Sequence, residues 1–338
     1  MIKEALSKIV SRSDLTMAEA REVMREIMRG ETTQAQIGAF LTALRMKGET
    51  VDEIAGCAQA MRESAIPVKP NRNQLVDTCG TGGDGSGTFN ISTTVAFVAA
   101  GAGLAVAKHG NRSVSSRCGS ADLLQALGVN LELAPEQVAQ CIDEVGIGFL
   151  FAPKLHPAMK YALAPRQEIG LRTIFNILGP LSNPAQAKRQ LLGVYHSDLT
   201  ELMAEVLRAL GAEHAFVVHG ADGLDELSVT GLNKISRLHD GDIETYYLDP
   251  QDLGLPRAKL SDLAGGSVED NAAITKALLA GKDGPKRDVI LLNAAAVLIA
   301  GGKASSFSEG LKLAAEAIDN GSAQRKLYQL IEFSRSIN

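Results

Sequence analysis

Asp77-Thr78-Cys79-Gly80-Thr81-Gly82-Gly83-Asp84-Gly85-Ser86-Gly87-Thr88-Phe89-Asn90-Ile91-Ser92-Thr93-Thr94 is the stretch that decides how the chain folds. A short apolar run at 75–77 precedes it and reads as a strand. A longer apolar run at 92–102 follows and reads as a helix. Strand, glycine-rich turn and helix form the start of a parallel α/β unit. Five glycines fall between Gly80 and Gly87. Lacking a Cβ, such a turn can bend sharply and bring backbone N–H groups close to an anion. The helix start adds free donors and a partial positive charge, and the hydroxyls of Thr88, Ser92, Thr93 and Thr94 add more. The stretch predicts a phosphate-bearing ligand, because a plain turn needs fewer glycines.

Two familiar phosphate motifs do not account for it. Gly80-x-Gly82-x-x-Gly85 spells the dinucleotide fingerprint, but further turn residues separate it from its helix. The acidic residue expected about 20 positions on is also missing: no Asp or Glu lies between Asp84 and Asp122. A Walker loop requires G-K-[ST], whereas Gly281-Lys282 precedes Asp283 and Gly302-Lys303 precedes Ala304.

Outward from this stretch the chain changes character twice. The first 65 residues carry three capping-box patterns, Thr16-x-x-Glu19, Thr33-x-x-Gln36 and Thr50-x-x-Glu53. In each, a threonine can accept from a free N–H while the later side chain returns to the cap. Gly30 and Gly48 mark helix ends. Ile37, Phe40, Leu41 and Leu44 line one helical face. A linker around Pro67 and Pro70 closes this helical unit. Beyond residue 74, predicted strands at 75–77, 104–107, 191–195 and 215–219 alternate with predicted helices at 92–102, 119–127, 135–145, 199–210, 271–279 and 289–299. That alternation predicts an α/β domain with a largely parallel sheet. The run 234–249, with Asp240-Gly241-Asp242 at its centre, reads as a hairpin.

Two further clusters fall after predicted strands. Lys108-His109-Gly110-Asn111-Arg112-Ser113-Val114-Ser115-Ser116-Arg117 leads into Cys118-Gly119-Ser120-Ala121-Asp122. It reads as a basic, serine-rich loop whose charges lack local acidic partners, suited to an anion. Open α/β sheets bind ligands outside the C-terminal ends of their strands. The second cluster, Asp222-Gly223-Leu224-Asp225-Glu226, gathers carboxylates that repel each other unless a cation lies between them. Oxygen-only donors suit magnesium. Taken alone, an exposed acidic turn explains this cluster equally well. Together the three clusters suit a pyrophosphate-bearing substrate.

Composition narrows the class. The chain has 338 residues, 45% hydrophobic and 22% charged, with a formal net charge of -5. That length suits about two domains, and the charge offers no broad face for nucleic acid. Cys57, Cys79, Cys118 and Cys141 form no C-x-x-C pair, which favours a reducing compartment over zinc or disulfides. The start has no secretory h-region, and the apolar runs at 93–107 and 289–300 are too short to cross a bilayer. The expectation is a cytoplasmic protein with neither nucleic-acid nor membrane partners.

The motifs 80–84, 90–93, 108–112, 119–122 and 225–226, with the run 172–184, resemble those of the anthranilate phosphoribosyltransferase family. The likeness runs in order along essentially the whole chain, with no departure at a motif position. It implies a nucleoside phosphorylase-like fold: a small helical domain (1–68, joined by a helical segment at about 160–184) and a large α/β domain (74–159 and 185–338). The active site would lie in the cleft between them, in a homodimer joined through the helical domains. The implied reaction moves the phosphoribosyl group of phosphoribosyl pyrophosphate to the amine of anthranilate, in tryptophan biosynthesis. Gly80, Gly83, Asp84, Thr88, Asn90, Ile91, Ser92, Thr93, Lys108, His109, Gly110, Asn111, Arg112, Ser113, Val114, Ser115, Ser116 and Ser120 would hold the donor. Ser92, Asp225 and Glu226 would serve magnesium, as two ions bound with the substrate. Gly80, Asn111 and Arg166 would contact anthranilate. No general base stands out. His109 and His156 are candidates against a packing role, and His109 and Arg166 are the candidates for direct catalysis. Pro165, read as a first-turn proline, would place Arg166 near a helix start.

Overall fold

The computed structural model describes residues 1–113 and 117–336. Helices α1 (Ile2–Val10), α2 (Met17–Arg29), α3 (Gln34–Lys47) and α4 (Val51–Ser64) open the chain. The three expected capping boxes form, with Thr16, Thr33 and Thr50 accepting from the N–H groups of Glu19, Gln36 and Glu53. Gly30 ends α2 at φ +73°, a left-handed conformation that glycine adopts at little cost.

The α/β part follows as β1 (Leu75–Gly80), α5 (Ile91–Gly101), β2 (Ala105–Gly110), α6 (Ser120–Leu127), α7 (Pro135–Val145), β3 (Ile147–Phe151) and the short turn α8 (Ala152–Leu155). Next come α9 (Lys160–Ile169), α10 (Phe175–Leu178), β4 (Arg189–Gly193), α11 (Leu199–Ala209), β5 (His214–His219) and the hairpin β6 (Asn233–His239) and β7 (Asp242–Leu248). Four helices close the described chain: α12 (Val268–Leu279), α13 (Pro285–Ala300), α14 (Phe307–Asp319) and α15 (Ser322–Ser336).

The sheet order is β3-β2-β1-β4-β5-β6-β7. The strands from β3 to β5 pair in parallel, and β6 and β7 are antiparallel. Chain direction across the sheet reverses between β1 and β4, so a crevice opens outside their C-terminal ends. The hairpin turns at Asp240 and Gly241, both at positive φ, the turn chemistry that Asp-Gly favours.

One sheet face packs against α5 and α13, whose stretch Val289–Ala300 is buried throughout. The other face shares a core with the helical unit: Ile54, Ala58 and Met61 of α4 belong to one buried cluster with Met203 and Leu207 of α11, Leu192 of β4 and Val217 of β5. Helix α9 packs against α2 and α3, and α10 against α4. Among the described residues no helix is long and apolar enough to cross a membrane.

Candidate active site

The end of β1 turns into the glycine loop under close steric control. Thr81 N–H donates to the Gly193 carbonyl at 2.9 Å, and Tyr195 N–H donates to Thr81 Oγ1 at 3.1 Å. Gly82, Gly83, Gly85 and Gly87 all lie between φ +66° and +75°, a form that glycine takes at little cost and other residues only with strain. A Cβ on Gly82 would meet nothing within 4 Å. Bulk there would meet no part of the protein; it would stand where the loop backbone is expected to approach phosphate, and it would strain the left-handed backbone.

The acidic pair lies directly against this loop. Asp225 Oδ2 accepts from Gly82 N–H at 2.7 Å, and Glu226 Oε1 accepts from Ser92 N–H, in the first turn of α5, at 3.1 Å. The alternative of an exposed acidic turn does not hold, because Glu226 is buried and Asp225 partly so. Burial, and next the charge of Asp84, push the Asp225 carboxyl up to about 7. Burial, and next Asp225, push Glu226 well above the usual carboxylate range. Three carboxylates thus approach one another at the crevice, a crowding that a divalent cation relieves. Asp84, Asp225, Glu226 and the Ser92 hydroxyl are hard oxygen donors of the kind magnesium prefers. Among the described residues no group of three or more His, Cys, Asp or Glu is placed to hold a metal ion by itself.

Three glycines make this approach possible. A Cβ on Gly193 would stand 1.5 Å from the Asp225 carbonyl oxygen, one on Gly80 would stand 2.2 Å from Asp225 Oδ2, and one on Gly220 would stand 2.4 Å from the Glu226 carbonyl oxygen. Gly193 and Gly220 escaped sequence reasoning. The signal was a glycine within or just past a predicted strand, which marks close backbone approach.

The basic cluster is built differently from its sequence reading. β2 extends through Gly110 because His109 and Gly110 pair with Leu150 and Phe151 of β3, a strand the sequence reading did not find. Lys108 and His109 are therefore strand residues, both buried. Lys108 Nζ reaches under the glycine loop to the Thr78 carbonyl at 2.5 Å and Ser92 Oγ at 3.4 Å. Burial lowers its pKa, opposed chiefly by Asp77. Arg112 is not unpaired: it meets Asp122 at 2.9 Å and Gln125 at 2.8 Å. Ser120 Oγ donates to the Asn111 carbonyl at 3.2 Å. Val114, Ser115 and Ser116 lie outside the described residues.

His109 Nε2 sits 3.2 Å from His156 Nε2. Burial pushes His109 down to about 3, with His156 the next cause, and burial pushes His156 down to about 4. Both rings are neutral at physiological pH. A group that holds a proton so weakly makes a poor general base there.

Arg166 corrects a second expectation. α9 begins at Lys160, so Pro165 lies inside the helix and Arg166 in its last turn. Its guanidinium lies over the Phe175 ring, 4.9 Å from the centroid, and forms no ion pair with Glu168. Among the described residues it has no hydrogen-bond partner.

Two family models match the chain: a glycosyl transferase family helical bundle domain over residues 3–65 and a glycosyl transferase family a/b domain over 72–324. The anthranilate phosphoribosyltransferase of Moorella thermoacetica is 60% identical over 99% of both chains. That of Desulforamulus reducens is 56% identical over 100% of this chain and 98% of its own. The crystal structure of the Thermus thermophilus enzyme superposes with a TM-score of 0.93 at 47% identity, covering 98% of this chain and 99% of that one. The Saccharomyces cerevisiae enzyme in complex with phosphoribosyl pyrophosphate and magnesium gives 0.91 at 29% identity, over 99% and 98%. With matches this close over its full length, the chain belongs to the anthranilate phosphoribosyltransferase family.

Proposed function

We propose that the crevice outside β1, β4 and β5 transfers the phosphoribosyl group of phosphoribosyl pyrophosphate to the amine of anthranilate. The observation that carries this reading is the meeting of three crowded carboxylates with a glycine loop whose N–H groups at 83–85 and 87 have no hydrogen-bond partner among the described residues. A pyrophosphate-bearing donor with magnesium supplies what both lack. The donor would lie along the glycine loop, the first turn of α5 and the Lys108–Ser120 region.

Positive charge grows on the sugar as its bond to pyrophosphate breaks, as in glycosyl transfer. Loop N–H groups, backed by the buried charge of Lys108, would face the oxygens on which negative charge gathers, already oriented before the reaction. Asp225, Glu226 and Ser92, with Asp84 beside them, would hold two magnesium ions. Magnesium, when bound, neutralises charge on the leaving pyrophosphate. The aryl amine carries a free lone pair at neutral pH, so attack needs no strong base. The neutral, buried His109–His156 pair accords with that and takes a packing role. Positioning supplies much of the acceleration. The protein would act in the cytoplasm, within tryptophan biosynthesis. Val10, Met46 and Leu163 stand exposed on the helical unit and α9, and a second copy of the chain is the partner we assign to them. Incubation with anthranilate, phosphoribosyl pyrophosphate and magnesium should extinguish anthranilate fluorescence; unchanged fluorescence under those conditions rejects the reaction.

Arg166 would grip the anthranilate carboxylate. A planar guanidinium with free N–H groups can hold it with two hydrogen bonds and aim the amine at the anomeric carbon. A hydrogen bond to a charged group contributes about 1.5–3 kcal/mol, so Arg166→Ala should lower kcat/KM for anthranilate by roughly 10- to 150-fold. Arg166→Lys should recover part of that loss. Loss of donor binding with an unchanged KM for anthranilate would move Arg166 to the phosphate site.

Gly82→Val tests the loop. Left-handed backbone costs a non-glycine residue about 1–2 kcal/mol, so affinity for the phosphoribosyl donor should fall by about tenfold in calorimetry. Tight NAD binding to the native protein, with no binding of phosphoribosyl pyrophosphate, would restore the dinucleotide reading.

A further inference from the structure

Arg172 opens the 172–184 run, and nothing above uses it. Its Nη2 donates to the Gly83 carbonyl at the tip of the glycine loop. Its guanidinium lies over the Tyr195 ring, 4.4 Å from the centroid, within the range of a cation–π contact. Tyr195 in turn holds Thr81 through its backbone N–H. The loop is thus gripped on both sides of Gly82.

The loop has little else to fix its tip. Its left-handed glycines have broad conformational freedom. Among the described residues, the side-chain contacts by which 83–86 reach beyond the loop are the bond from Arg172 and the approach of Asp84 to Asp225 and Glu226. The second brings carboxyls together, which repel once they are ionised. The first is a charge-assisted bond that persists at neutral pH. Arg172 also belongs to the segment that carries Arg166. Between Arg172 and α10 the chain is tied down: Thr173 N–H donates to Asn176 Oδ1 at 2.9 Å, and Ile174 and Phe175 are buried.

We propose that Arg172 is a positioning residue that latches the donor loop to the segment bearing the acceptor-side arginine. This rests on the reaction proposed above. A loop already held in place does not have to be ordered when the donor binds, and its N–H groups stay aimed at the leaving group.

Hydrogen exchange on the ligand-free protein and steady-state kinetics test the latch together. In Arg172→Ala the amides of 81–87 should exchange at least about tenfold faster, as a local opening no longer restrained, while α5 amides keep their rates. KM for phosphoribosyl pyrophosphate should rise by roughly tenfold, the loss of one charge-assisted bond, with a smaller change in kcat. Arg172→Lys should restore part of the protection, since an ammonium can reach Gly83 but has no planar face for Tyr195. Arg172→Ala combined with Tyr195→Ala should be no worse than Arg172→Ala alone. Unchanged loop exchange, or a rise confined to the KM for anthranilate, overturns the proposal. Native protein that turned over no anthranilate would defeat the reaction, and loop exchange would still decide the latch.

Discussion

Asp225→Asn combined with Glu226→Gln should lower turnover by roughly 100-fold or more, the scale of losing a strong electrostatic stabiliser. The same variant should melt higher, not lower, when metal-free above neutral pH. Both amides can still accept from Gly82 N–H and Ser92 N–H, so the hydrogen bonds survive and only the crowded charge is lost. The sign follows from the raised pKa. Asp225 moves from its ordinary 3.8 to about 7 in the folded protein. Below about 3.8 both folded and unfolded chains hold the proton, and the site costs nothing. As pH rises toward about 7, the unfolded chain releases its proton while the folded one retains it, so stability falls. Above that value the cost is complete. Metal-free wild type should therefore lose thermal stability across this window, and the amide variant should lose less. Added magnesium with the donor should stabilise wild type and not the variant. Calorimetric scans at several pH values read all of this. Native turnover in the double variant, with a normal melting curve, would remove these carboxylates from the mechanism.

Gly193→Ala should be nearly as damaging, although residue 193 bears no functional group. Its Cβ would fall 1.5 Å from the Asp225 carbonyl oxygen, a distance that only backbone movement can resolve. Overpacking of this kind costs about 1–3 kcal/mol. The acidic loop is the neighbour best able to move, and a shift of about 1 Å in a reacting group can cost on the order of 100-fold in rate. The expected variant is folded by circular dichroism, melts several degrees lower and is severely slowed. A variant with wild-type rate and melting temperature would show that the end of β4 does not set the position of Asp225.

What the sequence disclosed was what is local. The Thr16, Thr33 and Thr50 caps were readable because both partners of each box lie within one turn. The β6–β7 hairpin was readable because Asp240-Gly241 prescribes its own turn. β3 was not: it is short, contains Gly148, and follows α7 after a single glycine, so it offered neither length nor alternation. Missing it also misplaced Lys108 and His109, which only pairing with β3 makes strand residues. Burial of Asp225 and Glu226 was equally hidden. It arises from Gly80, Gly193 and Gly220 coming together at the ends of β1, β4 and β5. Pro165 misled because the cost of a proline inside a helix, the lost hydrogen bond to the Tyr161 carbonyl and the ring's clash with that carbonyl, is outweighed by the packing of α9 against α2 and α3. The glycine loop and the acidic pair were readable as neighbours of strand ends, and the structure brings them together. The contacts that hold them in place were not readable.

The core that α4 shares with α11, β4 and β5 has a consequence for how the molecule comes apart. The helical bundle has no complete apolar interior of its own, because α4 finds part of its cover on α11 of the α/β part. Heating should therefore melt bundle and sheet in one calorimetric transition, with the van't Hoff and measured enthalpies agreeing. Damage to either half would be felt as a loss of the whole.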